Sequence, residues 1–579
     1  MSKALKNSIC LFFLLTACQS KPPGSSSLFV AQGATKRELL PAEGRRYAIS
    51  TQGDFATRAG REMFESGGNL IDAAVAASFV IAVERPHSTG IGGGGFMVFR
   101  DGKTARVFAV DFRERAPAKA AKNMFLGRDG RPVKGLSENG VLAVAVPGLV
   151  AGLLEIHERF GSLPRQKILR PAIDLAEKGF PVYPALAEAL KEQGPLLARD
   201  AAAKKIFFSK KGPVLGEGET LVQADLGKTL RAIAAGGRKA FDDGAFARAL
   251  DSLSKKSGGV IRASDLKNYR VLWREPLRDQ YRGFEVYSMP PPSSGGLHVL
   301  QFLKFLANDR LADKGFLSAE SIHLEASALQ SAFADRATYL GDPDFVNVPV
   351  RELLSADYLQ KRRAEVPKDR ARRADEVRAG ELTVRSESTE TTHLSIIDSE
   401  GGMVATTQTI NGWFGAGLVV GGTGVVLNNE MDDFSAQTGA QNMFGAVGGE
   451  ANSIAPGKTP LSSMSPTLLL KDGKPRLAIG APGGTRIISC VAQTILNHLE
   501  FALPLRESIA AVRLHHQWKP DVLSLDPPGP GEKTVQELRR MGYRVELKPV
   551  PCNVMAVSQE NGLLSAVSDP RDIGTAFAR

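Results

Sequence analysis

The sequence predicts an α+β fold, on three observations. Alanine-rich helical segments occupy much of the first 340 residues. Pairs of short apolar or β-branched runs, typical of antiparallel hairpins, occur near 96–110, 391–411, 466–480 and 552–567. Strands and helices do not alternate as they do in parallel sheets, so this pattern favours α+β over a Rossmann or barrel architecture.

The helices and hairpins of the first half follow from local signals. An almost entirely apolar helix is expected over 69–84, and a glycine-rich loop over 87–95. A hairpin over 96–99 and 105–110 turns at Asp101-Gly102, and Pro147 is expected at the first helical position of 147–160. Further helices are expected at 225–235, 245–255 and 317–339, with a Pro/Gly connector at 289–296.

From Thr391 onwards, the sequence predicts mainly pairs of strands. Residues 391–398 and 403–411 read as two strands joined by a glycine turn, and similar pairs follow at 466–480 and 552–567. Helices are expected at 486–499 and 505–514. The polar stretch before Thr391 has no periodicity, so it predicts a loop.

The composition bounds the class of protein. The chain has 579 residues, of which 43% are hydrophobic and 23% charged, a globular profile that excludes disordered and collagen-like chains. Four cysteines without metal-type spacing exclude a disulfide-dense scaffold and a zinc site. The net charge of +11 is concentrated partly in the basic segment 361–378, which is typical of a solvated surface. With no nucleic-acid-binding motif, no nucleic-acid partner is expected.

The N-terminus predicts export. Two lysines precede a short apolar run that ends in small residues, so residues 1–17 are expected to be a signal peptide. Leu15-Thr16-Ala17-Cys18 resembles a bacterial lipobox, which predicts lipidation of Cys18 and a periplasmic or cell-envelope, membrane-anchored protein. Residues 18–34 are expected to be a flexible tether. No other membrane-spanning segment is expected, and pairing of Cys490 with Cys552 stays open.

Three groups of residues are candidates for chemistry. Gly483-Gly484 lies between a strand and a helix, where its N–H groups either bind an oxyanion or form an ordinary tight turn. Thr391 opens a strand after a polar stretch; a cut before it would supply the α-amine that a threonine nucleophile needs. The alternative for Thr391 is an ordinary strand threonine. The eight histidines lack metal or triad spacing, so structural roles are expected for His393 and His515.

Longer motifs resolve these alternatives. The sequence resembles the γ-glutamyltransferases (γ-glutamyltranspeptidases, or glutathione hydrolases), which are N-terminal-nucleophile hydrolases. The resemblance covers nearly the whole chain after the tether, in family order, and rests on seven segments: 112–117, 289–296, 339–345, 387–398, 427–434, 460–467 and 481–484.

The resemblance implies a four-layer αββα sandwich and a self-cleaving proenzyme. Cleavage is expected between Glu390 and Thr391, giving a large subunit of residues 35–390 and a small subunit of residues 391–579, which form a heterodimer. The Thr391 hydroxyl would then attack the γ-amide of a donor such as glutathione. Water, or an amino-acid or dipeptide acceptor, would resolve the ester, without metal or organic cofactor.

The resemblance also assigns roles by motif position. Thr409 would orient the nucleophile, and Gly483 and Gly484 would bind the oxyanion. One group would hold the α-carboxylate of the donor: Arg113, Ser462 and Ser463. A second would hold its α-ammonium: Asn411, Glu430 and Asp433.

Two positions differ from relatives of the family. Glu430 stands where some bacterial members carry Gln, which would make the ammonium pocket more anionic. Phe444 stands in the lid where those members often carry Tyr, so it cannot donate a hydroxyl hydrogen bond to Asn411. The expectation is a looser lid that lets water compete with acceptors, with Trp413 sharing the gating.

Three alternatives remain at this stage. A same-fold acylase of glutaryl-β-lactams would leave Asp433 without an ammonium partner. A transferase acting on poly-γ-glutamate would need a more open site than the lid allows. A non-catalytic surface lipoprotein would not need Thr391, Thr409 and the glycine pair.

Overall fold

The computed structural model describes residues 41–210, 212–379, 391–435 and 450–579. The predicted signal peptide and tether, Cys18, Glu390 and Phe444 lie outside the described residues.

Eighteen helices and twenty-one strands occur in these ranges. The helices are α1 Asp54–Glu65, α2 Leu70–Glu84, α3 Leu149–Phe160, α4 Arg165–Lys178, α5 Pro184–Leu197, α6 Ala201–Phe207, α7 Ala224–Gly236, α8 Arg238–Asp242, α9 Ala245–Lys256, α10 Ala263–Asn268, α11 Gly295–Phe305, α12 Leu311–Lys314, α13 Ala319–Tyr339, α14 Val350–Leu353, α15 Ala356–Ala364, α16 Arg486–Leu499, α17 Leu505–Ala510 and α18 Glu532–Arg540. The strands are β1 Ala42–Gly44, β2 Tyr47–Thr51, β3 Gly94–Arg100, β4 Val107–Asp111, β5 Phe180–Pro181, β6 Thr220–Leu221, β7 Leu272–Arg274, β8 Leu277–Tyr281, β9 Phe284–Ser288, β10 Thr392–Asp398, β11 Met403–Thr409, β12 Val419–Val420, β13 Val425–Val426, β14 Thr467–Lys471, β15 Lys474–Gly480, β16 Leu514–His515, β17 Leu523–Leu525, β18 Val545–Leu547, β19 Met555–Glu560, β20 Leu563–Ser568 and β21 Thr575–Ala578.

Two antiparallel sheets of seven strands form the centre of the fold. The first has the order β21-β2-β10-β11-β3-β4-β7, and the second has the order β1-β20-β19-β15-β14-β9-β8. They stack face to face, with β10 and β11 against β15 and β19. A Cβ at Gly480 would lie 2.2 Å from the His393 ring, so glycine is what allows this close approach.

Helices cover the outer face of each sheet. Helices α1, α2 and α3 pack on the first sheet, and α11 and α16 on the second, giving the layer order αββα. Along β10, Leu394 and Ile396 belong to the hydrophobic core that includes α2. Ile397 points to the opposite face and belongs to a second core, which includes the second sheet and its helices α11 and α16. The predicted α+β class and the four-layer sandwich are confirmed.

The buried helix α2 shows how local sequence sets an element. Its N-cap, Asn69, accepts hydrogen bonds from the N–H groups of Ile71 and Asp72, and the Asp72 carboxylate accepts from Asn69 N. This capping box fixes the start of the helix. All fifteen helical residues are buried, in agreement with an apolar surface on every side.

Most predicted elements are confirmed, with three corrections. Pro147 lies before α3, whose N-cap is Gly148. The helix expected over 505–514 ends at Ala510, because Leu514 and His515 pair with β17 as strand β16. The expected flexible end of the 289–296 connector is buried, and its two glycines form the first turn of α11.

Cys490 and Cys552 form a disulfide bond, with Cα atoms 6.7 Å apart. It joins α16 to the segment before β19. Within the described ranges, no helix is long and apolar enough to cross a membrane.

Candidate active site

Thr391 lies at the edge of the first sheet, immediately before β10. Its neighbour Thr392 pairs with Gln408 of β11, so the antiparallel register places Thr391 beside Thr409. Thr391 is 6% exposed, and its hydroxyl is buried without a hydrogen-bond partner among the described residues. A cavity of about 480 Å³ opens onto it. Such a hydroxyl adds no hydrogen bond to the fold within the described residues, so Thr391 remains the candidate nucleophile.

Thr409 and Asn411 form the end of the neighbouring strand. The Thr409 hydroxyl oxygen accepts a hydrogen bond from Asn411 N at 2.7 Å, and Asn411 Nδ2 donates to Asn429 O at 3.1 Å. Asn411 adopts a left-handed backbone conformation, with φ of 69°. The Thr391 hydroxyl makes no hydrogen bond with Thr409, so an orienting role for Thr409 stays a prediction.

The Gly483-Gly484 turn joins β15 to α16, at the wall of the same cavity. Both residues have positive φ, 126° and 63°, which a side chain would strain. A Cβ on Gly483 would lie 2.4 Å from Pro551 O and 2.6 Å from Cys552 Cβ. No residue in the described ranges accepts a hydrogen bond from either glycine N–H. Both N–H groups are therefore available to an oxyanion, and that role for the turn stays a prediction.

Arg113 connects the two predicted halves of the donor pocket. Its Nη1 donates to Glu430 at 2.6 Å and its Nη2 to Asp433 at 2.5 Å, while Nε donates to Pro460 O at 3.0 Å. All three charged side chains are at most 4% exposed. One guanidinium against two carboxylates leaves a surplus negative charge, which is complementary to an ammonium group.

Glu114 is a fourth member of this cluster, and the sequence analysis missed it. Both of its carboxyl oxygens are buried without a hydrogen-bond donor in the described part of the chain. Burial raises the pKa of Glu114 well above its ordinary value, and the charge of Glu430 raises it further. Burial also raises the pKa of Glu430, although Arg113 opposes that change. Of these two carboxyl groups, Glu114 is the protonated one, because Glu430 has the Arg113 guanidinium as its partner.

Ser462 and Ser463 lie beside this cluster and rest on the 289–296 segment. Ser462 N donates to Pro292 O at 2.9 Å, and Ser462 O accepts from Ser294 N at 2.7 Å. A Cβ on Gly295 would lie 2.5 Å from Ser463 O. The 289–296 segment therefore supports the two serines, beyond connecting β9 to α11.

Residues 56–578 match the family model described as gamma-glutamyltranspeptidase.

The chain belongs to the gamma-glutamyltranspeptidase family.

Three relatives of this family member illustrate the match. A glutathione hydrolase proenzyme of Escherichia coli strain K12 is 41% identical over 562 residues, covering 97% of this chain and 95% of that protein. A cephalosporin acylase from Bacillus halodurans superposes with a TM-score of 0.80 at 25% identity, over 98% of this chain and 99% of its own. A gamma-glutamyltranspeptidase of Helicobacter pylori is 41% identical with a TM-score of 0.56, covering 57% of this chain and 94% of its own.

In this gamma-glutamyltranspeptidase family member, the remaining cavity wall combines charged side chains, several prolines and the rings of His87 and Trp413. Trp413 lies against His87, with ring centroids 6.4 Å apart, and both line the cavity. Burial and the charge of Arg85 lower the pKa of His87 well below its ordinary value, so the imidazole is neutral. The partner that Trp413 was expected to have in gating, Phe444, lies outside the described residues.

His393 and His515 lie outside the cavity and make the hydrogen bonds of structural histidines. His393 contacts the hydroxyls of Thr407 and Ser395 at 2.8 and 3.0 Å, and burial lowers its pKa to about 3. His515 contacts Ser489 and Gln517 in the same manner. No cluster of potential metal ligands occurs in residues 41–210, 212–379, 391–435 and 450–579.

Proposed function

We propose that the chain is an autoprocessing γ-glutamyltransferase with glutathione hydrolase activity and that Thr391 is its nucleophile. Family membership and the E. coli glutathione hydrolase proenzyme support the activity. The observation that carries the assignment to Thr391 is its buried hydroxyl, which has no hydrogen-bond partner among the described residues, on a residue that lines the same cavity as Gly483.

Maturation begins with the Thr391 hydroxyl. It attacks the carbonyl carbon of Glu390, and the backbone nitrogen leaves as an amine, so an ester replaces the peptide bond. Water hydrolyses the ester, which separates the two subunits and frees the Thr391 hydroxyl beside the new α-amine. With a reference pKa near 8, this amine is partly neutral at physiological pH and accepts the hydroxyl proton during attack. The strand register, which puts Thr409 beside Thr391, supports an orienting role for Thr409.

Turnover repeats the same chemistry on a γ-glutamyl amide. The hydroxyl attacks the amide carbon, and the N–H groups of Gly483 and Gly484 stabilise the oxyanion. The leaving amine takes a proton, and a γ-glutamyl ester remains on Thr391. Water releases glutamate, or the amine of an amino-acid or dipeptide acceptor forms a new γ-glutamyl amide.

The charges of the donor pocket match the γ-glutamyl group. Its α-ammonium supplies a second positive charge for the Glu430 and Asp433 carboxylates, because the Arg113 guanidinium compensates only one of the two negative charges. Asn411 adds a polar contact. Its α-carboxylate is received by the hydroxyls of Ser462 and Ser463 and by Arg113.

The second candidate is a glutaryl-β-lactam acylase, which the B. halodurans cephalosporin acylase makes relevant. A glutaryl group has the terminal carboxylate but no ammonium. Binding it would leave the surplus charge of Glu430 and Asp433 buried and uncompensated, at a cost of several kcal/mol. The acidic cluster therefore favours γ-glutamyl donors.

Lipidation of Cys18 and attachment at the cell envelope form a separate part of the proposal, supported by the lipobox-like segment 15–18 alone. Mass spectrometry of the N-terminal peptide from membranes tests it. A diacylglyceryl group on Cys18 is expected, and an unmodified N-terminal peptide in a soluble fraction would contradict it.

Two measurements test the catalytic proposal. The intact mass of the purified protein should fit a small subunit that begins at Thr391, and Thr391→Ala should remain one chain. The processed enzyme should release p-nitroaniline from the γ-glutamyl anilide far faster than from the glutaryl anilide. The reverse preference would favour the acylase, and a chain that never splits would favour a non-catalytic lipoprotein.

A further inference from the structure

A second buried arginine lies behind the predicted carboxylate site. Arg336 is on α13, is 1% exposed and belongs to the predicted large subunit. Its Nη2 donates to the Ser463 hydroxyl oxygen at 2.9 Å, and its Nε donates to the Ser294 hydroxyl oxygen at 2.7 Å. It therefore holds Ser463 across the predicted subunit junction.

The contact fixes the direction of the Ser463 hydroxyl. A guanidinium only donates hydrogen bonds, so Ser463 Oγ must accept from Arg336, and its own proton must point elsewhere. No described residue accepts that proton. The serine is thus oriented as a donor toward an anionic oxygen.

Arg336 orients Ser462 through an intermediate residue. Because Ser294 Oγ accepts from Arg336, the Ser294 hydroxyl proton is directed to Ser462 O, at 2.7 Å. The Ser462 hydroxyl oxygen accepts from Met464 N at 3.2 Å, which leaves its proton available as well. Both serines therefore present hydroxyl protons rather than lone pairs.

The other cation of the site is already engaged. Both Nη atoms of Arg113 contact carboxylates, so part of its charge is compensated before any donor binds. Arg113 and Arg336 hold opposite ends of the 460–463 segment, since Arg113 Nη2 also donates to Leu461 O at 3.2 Å. A positive charge directly behind Ser463 strengthens the hydrogen bonds of that hydroxyl to an anion.

We propose that Arg336 is a positioning residue for donor recognition: it orients and polarises Ser463, and through Ser294 it fixes Ser462, so that both hydroxyls receive the α-carboxylate of the γ-glutamyl group. The inference rests on the proposed function and adds a residue that does not touch the substrate.

The test compares two p-nitroanilides that differ only in the α-carboxylate, γ-glutamyl and 4-aminobutyryl. Arg336→Gln should lower kcat/KM for the γ-glutamyl anilide about ten- to hundredfold, chiefly through KM. The 4-aminobutyryl anilide should change less than threefold. Arg336→Lys, which keeps a donor and the charge, should recover part of the loss.

Arg372→Gln is the matched control. Arg372 is 4% exposed and donates to Ser327 O and the Ser331 hydroxyl of the same helix, both at 2.8 Å. The Arg372→Gln variant should have a lower melting temperature, but its ratio of kcat/KM values for the two anilides should equal that of the wild type. A parallel loss on both substrates in Arg336→Gln, as expected for a merely structural arginine, would overturn the inference.

A double-mutant cycle covers the case in which Arg336→Gln does not mature. Ser463→Ala should lower the γ-glutamyl activity, and Arg336→Lys should cost less in the Ser463→Ala background than in the wild type, because the Ser463 share of its effect is already lost. Fully additive losses would overturn the inference. Failure of the wild-type enzyme on the γ-glutamyl anilide would instead contradict the proposed function.

Discussion

The Cys490–Cys552 disulfide should stabilise the protein and hold the wall of the active-site cavity. Cys490 lies in the second turn of α16, directly after the Gly483-Gly484 turn. Cys552 lines the cavity and packs against Gly483. Both half-cystines are at most 1% exposed. Removing the bond therefore raises the conformational entropy of the unfolded chain. It also removes a restraint on the position of Gly483 in the folded site.

The stability effect follows from loop length. The bond closes a loop with a sequence separation of 62 residues. The chain-entropy relation gives about 4 kcal/mol at 25 °C for such a loop. At about 2.1 cal/mol/K per residue, a cooperative unit of about 500 residues would lose about 4 °C in melting temperature.

The assay is thermal unfolding of Cys490→Ala, Cys552→Ala and the double variant, beside the wild type. Each single change already breaks the bond, so the three variants should melt within about 1 °C of one another. Activity on a γ-glutamyl anilide should fall in all three, since the Gly483 turn loses its tether. Additive losses from the two single changes, or a variant that melts with the wild type, would refute the pairing argument.

Three further predictions follow from the site and the core. Gly483→Ala places a Cβ 2.4 Å from Pro551 O, so kcat should fall about 10²–10³-fold with a folded far-UV spectrum; activity within threefold of wild type would argue against an oxyanion role. Glu430→Gln removes one negative charge beside Arg113, so KM for a γ-glutamyl anilide should rise about five- to tenfold. Activity on the glutaryl anilide should rise, because less uncompensated charge stays buried when no ammonium is present; an equal loss on both substrates would contradict an ammonium role. Burial raises the pKa of Glu325 to about 8. Between about pH 4.5 and 8 this side chain is therefore protonated in the folded protein and ionised in the unfolded chain. The free energy of unfolding falls as the pH rises through that window. Glu325→Gln should therefore be more stable than wild type by about 3 kcal/mol at pH 7 in urea unfolding, with the difference gone at pH 4; a gain at both pH values would refute the titration argument.

Elements with strong local signals could be predicted from the sequence. The capping residues and apolar surface of α2 predict its position to within one residue, and the glycine turn between β10 and β11 predicts that hairpin. Strand β21 could not be found this way, because it is four residues long and pairs with β2 across more than 500 residues of chain. Pairing of that kind depends on tertiary packing rather than on local propensity.

The site shows the same division. Motif position assigns Arg113 to the α-carboxylate of the donor and Glu430 and Asp433 to its α-ammonium, and the structure brings all three side chains into one cluster. Arg336 has no motif of its own: its role depends on α13 passing behind Ser463, which no periodicity encodes. Glu114 adjoins Arg113 in sequence, but only burial without a donor distinguishes it from a solvated glutamate.

The central claim is that Thr391 becomes the nucleophile for γ-glutamyl transfer to water. The most direct measurement is glutamate release from glutathione by the purified protein, beside Thr391→Ala. The wild type should release glutamate, and the variant should release none and remain a single chain. Glutamate release by the variant would contradict the assignment of Thr391 as the nucleophile. A wild-type protein that is cleaved before Thr391 yet leaves glutathione intact would contradict the assignment of glutathione as a donor.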